Sequence, residues 1–414
     1  MKKTFLLLCF LFIMAGCQDR IELEQQSYVI AIGIDSTDDK GTYEFTYQMA
    51  NPEVGSAAGQ GGSEEPATET VTVQGSDILS ATFTANSFVS KKLTLDHTKV
   101  IVVSEETARS DDFIRVIQSA SRTPQVRRQV QMIVSKEKAS DFINNNKPLL
   151  ETRPHKYYQT MLTRAIETGI VPEATLHRFF QITEGDADLF LGIYATTEKS
   201  DQKSASEGAE DKYIAGEIPQ IGGSPTQFMG SAVFKEGKMI DIITGEETRL
   251  AHALDPTLRM EGYLATVPDP MMPDYRVSYE YSQAEMPKID IHYHKDKPTT
   301  INVEIEFQIE VIAIPSLVEY TQNVAYRKKL EKEVVTRLEQ NTKALIEKSQ
   351  KEYRSDPFYW SLYVRKYFKD IPSYEKADWH KKIYPNAEIN VTYTLDKLEF
   401  GKMINDSKLD EVRD

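Results

Sequence analysis

The chain has 414 residues, and 63 Asp and Glu against 49 Lys and Arg give a formal charge of −14. That balance argues against nucleic acid as a partner, because phosphate binding relies on Lys and Arg, and against electrostatic adhesion to anionic lipid. The length allows two or three domains of roughly 100–200 residues each, and a mean hydropathy of −0.45 describes a soluble globular body.

The chain opens on Met1-Lys2-Lys3, an apolar run from Thr4 to Met14, the small residues Ala15 and Gly16, and then Cys17. A basic start, an apolar middle and a small-residue cleavage site describe an exported precursor. The run is too short for a membrane span, which takes about 20 apolar residues. Met14-Ala15-Gly16-Cys17 resembles a bacterial lipobox, so residues 1–16 are expected to be a signal peptide and Cys17 a lipidation site, with 17–27 as a tether. Two acyl chains on Cys17 hold a body to a bilayer without a transmembrane helix. Of the two cysteines, Cys9 leaves with the signal peptide and Cys17 carries the lipid, so no internal disulfide is expected.

Tyr28 to Ile34 is apolar and β-branched, a strand, and Tyr43 to Met49 alternates and pairs back on it across the turn Asp35–Gly41. Asn51 to Glu69 is rich in Pro, Gly and Ser and reads as a flexible loop. Val71–Val73 resumes a strand, Asp77 to Lys91 is helical, and Lys99 to Val103 is a buried strand. Helices follow around Asp111–Ser121 and Lys136–Asn144, with an alternating strand from Val126 to Val134 between them. Pro154–Gly169 and Pro172–Phe180 are helical, and Leu189–Ala195 is a strand. Residues 28–198 thus form an N-terminal α+β domain, because hairpins are mixed with strand–helix alternation. The polar stretch within 199–226 reads as a flexible linker. A middle β-rich domain is expected over 227–285, opening with a hairpin around Glu236-Gly237.

The C-terminal α+β domain, 286–403, holds strands at Ile289–Tyr293 and Thr300–Ile314. A long amphipathic helix is expected from Glu319 to Tyr353, with Leu330, Val334, Leu338, Leu345 and Ile346 at helical spacing. Asp356-Pro357 stops it. Glu388–Leu398 is a closing strand, and 404–414 is a polar tail. The fold class is therefore α+β and multi-domain, with mixed and antiparallel sheets flanked by helices.

Candidate chemistry is sparse. The chain has no HExxH, CxxC, GxGxxG, GxxxxGK[ST] or GxSxG. Asp290, His292 and His294 alternate along one strand and suit a metal, but flanking Lys288, Lys295 and Lys297 favour an exposed polar face. Asp35 ends a strand among turn-forming residues. Glu246 and Glu247 suit a helix start better than paired acids. Trp360 and Trp379, with Tyr359, Tyr363 and Tyr367 nearby, suit packing better than a ligand platform. No catalytic residue, metal or cofactor is expected.

The order of several blocks resembles the Ger(x)C spore germination lipoproteins, the C subunits of GerA-type germinant receptors. IAIGID up to Asp35 after the lipobox, LTLDHTKVIVVSEETA (93–108), SASRTPQVRRQVQMIVSKEKASDFI (119–143), MGSAVFKEGKMIDIITGEET (229–248) and YRSDPFYWSLYVRKYF (353–368) carry the likeness. The family often has Trp after the cysteine, where this chain has Gln18, and a glycine after Asp-Pro-Phe, where it has Tyr359. The resemblance implies three α+β domains without an active site. It also implies integral membrane A and B subunits as partners, and a lipid-held position on the outer face of the inner spore membrane of a Gram-positive organism. An importer's solute-binding lipoprotein and a lipid-anchored hydrolase are the alternatives; two doubly wound lobes mark the first.

Overall fold

The computed structural model describes residues 25–50, 68–148, 150–151, 153–185, 189–199, 211–260, 262–295 and 297–401. The signal peptide, Cys17, most of the tether, the tail and most of the 51–69 loop lie outside these residues.

The N-terminal sheet has nine strands in the order β3-β2-β1-β5-β6-β7-β8-β9, with β4 beside β1. They are β1 (Gln26–Ser36), β2 (Tyr43–Ala50), β3 (Thr68–Gly75), β4 (Lys92–Thr94), β5 (Val100–Ser104), β6 (Gln131–Ser135), β7 (Phe190–Thr196), β8 (Gln227–Lys235) and β9 (Lys238–Ile243). β1, β5, β6 and β7 run parallel, and antiparallel strands flank them on both sides. Every residue of β5 and of β7 is buried, as apolar strands covered on both faces must be. The covers are short helices: α1 (Ile78–Ala85), α2 (Glu105–Ala108), α3 (Phe113–Arg122), α4 (Ala139–Asn145), α5 (Pro154–Glu167) and α6 (Leu176–Glu184).

The second sheet is built on β13 (Thr300–Ala313). Ile301, Val303, Ile305, Phe307, Ile309 and Val311 point inward, and Glu304 and Glu310 face solvent. This is the period-two pattern of a sheet with one wet face. The first half of β13 pairs with β12 (Lys288–His292) and its second half with β11 (Arg276–Gln283), which carries β10 (Tyr263–Pro268). β14 (Glu388–Glu399) lies parallel along the other edge of β13.

Between the sheets lie α7 (Gly245–Leu254) and the long helix α8 (Val324–Lys348). Asn323 caps α8 by accepting from the Ala325 and Tyr326 amides, satisfying donors that the first turn leaves free. The helix winds on through a π turn, Ser349–Tyr353, and ends where Arg354 turns left-handed. Leu330, Val334, Leu338, Leu345 and Ile346 are buried, as their spacing predicts. α9 (Ser361–Val364) and α10 (Ile371–Ala377) complete the second body.

Two boundaries differ from expectation. The proposed middle domain, 227–285, is divided: β8 and β9 extend the first sheet, and β10 and β11 belong to the second. The reason is pairing. A lone hairpin is marginal in water, and β8 finds a partner in β7. The linker expected over 199–226 is structured from residue 211 onward. Ala215 is buried, its amide bonds the Met229 carbonyl, and Gln227 bonds the Ile218 carbonyl. The polar run before residue 211 and the Gly and Pro after it hid a segment held by hydrogen bonds to β8.

Candidate functional site

The sequence candidates fall into structural roles. Asp35 is buried at the end of β1 and accepts from the Ala139 and Ser140 amides at 2.7 and 3.0 Å. It thereby caps α4 from another strand, rather than shaping its own turn. Glu247 completes a capping box with Thr244 at the start of α7. Glu246 turns away to Asn341 of α8 at 2.7 Å, and burial pushes its carboxyl up, with Asp211 adding to the shift. The two adjacent acids do not converge. Trp360 and Trp379 are fully buried, bonding the Leu254 carbonyl and the Asp356 carboxylate. Asp290 and His292 meet at 2.9 Å on the exposed face of β12, and His294 lies beyond the strand end. Among the described residues no group of three or more His, Cys, Asp or Glu is placed to hold a metal.

Polar clusters at the junction of the two bodies are one feature that sequence reasoning missed. Arg178 of α6 reaches Asp255 at 2.5 Å and Thr257 at 3.1 Å. Its guanidinium stacks 4.1 Å from the centre of the Tyr359 ring. The φ of Tyr359, 60°, lies in the left-handed region that glycine prefers. An ordinary side chain there costs roughly 1–2 kcal/mol, and the cation–π contact offsets some of that. Burial pushes the Asp255 carboxyl up, and Arg178 and Thr257 pull it back. Further along, Arg249 meets Asp211 at 2.8 Å and covers Tyr263. Tyr353 and Lys348 converge on Asp241.

His252 completes the Arg178 cluster. Its Nε2 is buried without a hydrogen-bond partner. Burial lowers its pKa from 6.5 to about 4, and the Arg178 charge adds to the shift. Between those values the unfolded chain binds a proton that the folded chain refuses. This residue's contribution is therefore complete above pH 6.5 and is lost as pH falls toward 4, by about 3 kcal/mol at the low end. Asp255 and Glu246, raised by burial, act in the opposite sense in the carboxylate range. The difference between wild type and His252→Leu in equilibrium unfolding isolates the imidazole. It is expected to change steeply from pH 6.5 to 4 and to stay flat above 7.

The second missed feature is a groove of about 880 Å³ where the end of β12, the segment before α10 and the segment after it meet. Lys295, Lys297, Lys369, Lys376 and Lys382 surround it, with His294 at the rim and Tyr293, Tyr367 and Phe368 as its apolar wall. All five lysines are exposed. In so acidic a chain this is a concentrated positive field, suited to an anionic group or an acidic segment. The lysines come from three stretches of sequence, so no local run signals them.

Fold and groove together define a two-body α+β protein with a basic groove in its second body. Among the described residues, no helix is long and apolar enough to cross a membrane. Residues 19–196 match the spore germination protein N-terminal domain, and residues 229–401 match the C-terminal domain described as spore germination B3/GerAC-like. The chain belongs to the GerAC-like family of spore germination proteins. It is 22% identical to spore germination protein B3 of Bacillus subtilis over 96% of this chain and 98% of that protein. It is 28% identical to spore germination protein KC of the same organism, over 38% of this chain and 39% of that protein. A crystal structure of the GerBC protein shares the fold, with a TM-score of 0.50 and 17% identity over 88% of this chain and 96% of that one.

Proposed function

We propose that this chain is the lipid-anchored subunit of a nutrient germinant receptor. It acts by contacts with integral membrane A and B subunits, not by chemistry. The observation that carries the reading is the match of both family domains, in order, over most of the folded body. The geometry supports it: the bodies are pinned by buried ion pairs, as suits a scaffold, and the lysine groove offers a surface for an acidic partner. The importer reading predicts two doubly wound lobes, whereas the second sheet here is antiparallel apart from β14.

Deleting the gene is expected to slow germination for one class of nutrient and to leave intact germination by agents that bypass receptors. Release of spore solutes after each stimulus measures both. Normal nutrient germination in a strain without related C subunits overturns the proposal.

A further inference from the structure

The tether enters the fold at one end of the first sheet. Because β1, β4, β5 and β6 run parallel, their N-terminal ends share that edge. Gln26, where β1 begins, pairs with Lys92. α1 starts beside Tyr47 in mid-sheet, since Tyr47 bonds the Ile78 carbonyl. It leads back toward the same edge, where Asn86 accepts from the Leu93 amide at 2.8 Å.

This approach exposes apolar rings. Ile78 and Ala81 of α1 are buried, as the helical pattern predicts, yet Phe83 is 83% exposed and Phe88 is 59% exposed. Two large aromatic side chains exposed within one short stretch of chain mark a contact surface more often than single exposed residues do. The charge at this edge is the reverse of the chain's. Lys92, Lys99, Arg122, Arg127, Arg128 and Lys156 are exposed here. The last of them lies close to Lys99, since both act on His155. The acids here include Asp96, Glu69 at the start of β3, Glu151, which is ion-paired with Arg153, and Glu173, which lies toward Arg178, so the cations still outnumber them.

We infer that this edge, with Phe83 and Phe88 at its centre and the basic side chains around them, is a membrane-contact surface that lies on an anionic phospholipid bilayer. The inference rests on Cys17 carrying the lipid. Eight residues lie between Cys17 and Gln26, and the nine steps across them span at most about 32 Å. An anchor at Cys17 therefore keeps this edge within reach of the bilayer. Aromatic rings partition into the headgroup region, and each Lys or Arg near an anionic surface adds about 1 kcal/mol. The tether's own acids, Asp19, Glu22 and Glu24 against Arg20, do not supply that attraction, so the folded edge must. The chain is acidic overall, and of its two basic faces, this edge and the lysine groove, the edge is the one beside the anchor and so the one drawn onto the bilayer.

The test uses membrane-extracted full-length protein in vesicles of phosphatidylglycerol and phosphatidylcholine with brominated acyl chains, which quench a nearby indole. Phe83→Trp and Phe88→Trp report the proposed surface. Lys40→Trp reports the opposite edge, at the turn after β1, which is 11 residues long. The native Trp360 and Trp379 are buried and give a constant background. The first two indoles are expected to lose emission and the third to keep it. No quenching at position 88, or equal quenching at 40 and 88, overturns the inference and leaves the rings to a protein partner. The mass of the N-terminal peptide is read on the same sample. An unmodified Cys17 overturns the anchor reading, and quenching still decides the surface.

Discussion

Asp255→Ala is expected to destabilise the folded chain by roughly 3–5 kcal/mol, the usual consequence of removing one partner from a buried ion pair. Its partner Arg178 is only 17% exposed, and Asp255 itself 4%. The substitution strands a guanidinium between two bodies with Thr257 and the Tyr359 ring as its remaining contacts. It also removes the acceptor for the Thr257 amide and hydroxyl. The readout can separate the bodies, because both tryptophans of the chain, Trp360 and Trp379, sit in the C-terminal one. Tryptophan emission then follows that body, and far-ultraviolet dichroism follows both. In Asp255→Ala the two denaturation curves are expected to part, because the most buried of the pairs that couple the bodies is gone. Pairing Asp255→Leu with Arg178→Met removes both charges and should recover most of the loss. A change within about 0.5 kcal/mol for Asp255→Ala, the range of ordinary surface substitutions, defeats this account of the junction.

That junction shows where the sequence stops being legible. The strands and the long helix were readable because each carries its own period: two in β13, and close to 3.6 in α8. A capping box such as Thr244 to Glu247 is local too. Arg178, Asp255 and Tyr359 are separated by 77 and 104 positions, and no periodicity relates them. The same holds for the groove lysines, which the fold gathers from around residues 295, 369 and 382. Nothing local signals that Tyr359 takes a left-handed backbone, and its ring is half of a cation–π pair with Arg178. The division of 227–285 was hidden for a related reason. Each hairpin reads correctly by itself, but the choice of sheet is made by partners far along the chain. Phe83 and Phe88 mislead in the opposite way. Their place in a helix expected to run to Lys91 suggests core, but α1 stops at Ala85, so Phe88 lies beyond it and Phe83 is on its exposed face.

Cys17→Ala is expected to abolish the membrane association proposed for this chain and, with it, most nutrient germination, while the folded body persists. The physical argument concerns concentration. One acyl chain binds a bilayer marginally, whereas the two or more chains on a lipidated cysteine hold stably. Confinement to the membrane plane turns a bimolecular encounter with an integral partner into a nearly intramolecular one, and linkage of this kind raises apparent affinity by roughly 10²–10⁴. Contacts too weak to capture a soluble protein then suffice for a complex. The basic edge of the first sheet shares the load: without the lipid, a handful of cations and two rings give only reversible binding, and with it they fix which face looks down. Loss should therefore appear as protein released from the membrane fraction at normal total abundance, with slow nutrient germination and normal germination by bypassing agents. Wild-type germination by a Cys17→Ala strain, with the protein present at its usual level, refutes the anchor. Slow germination with the protein degraded has a remedy in a second variant, Cys17→Ala with its signal peptide replaced by a single membrane-spanning segment. If confinement is what matters, that chain restores germination although its attachment has different chemistry. If the thioether-linked lipid makes a specific contact, it does not.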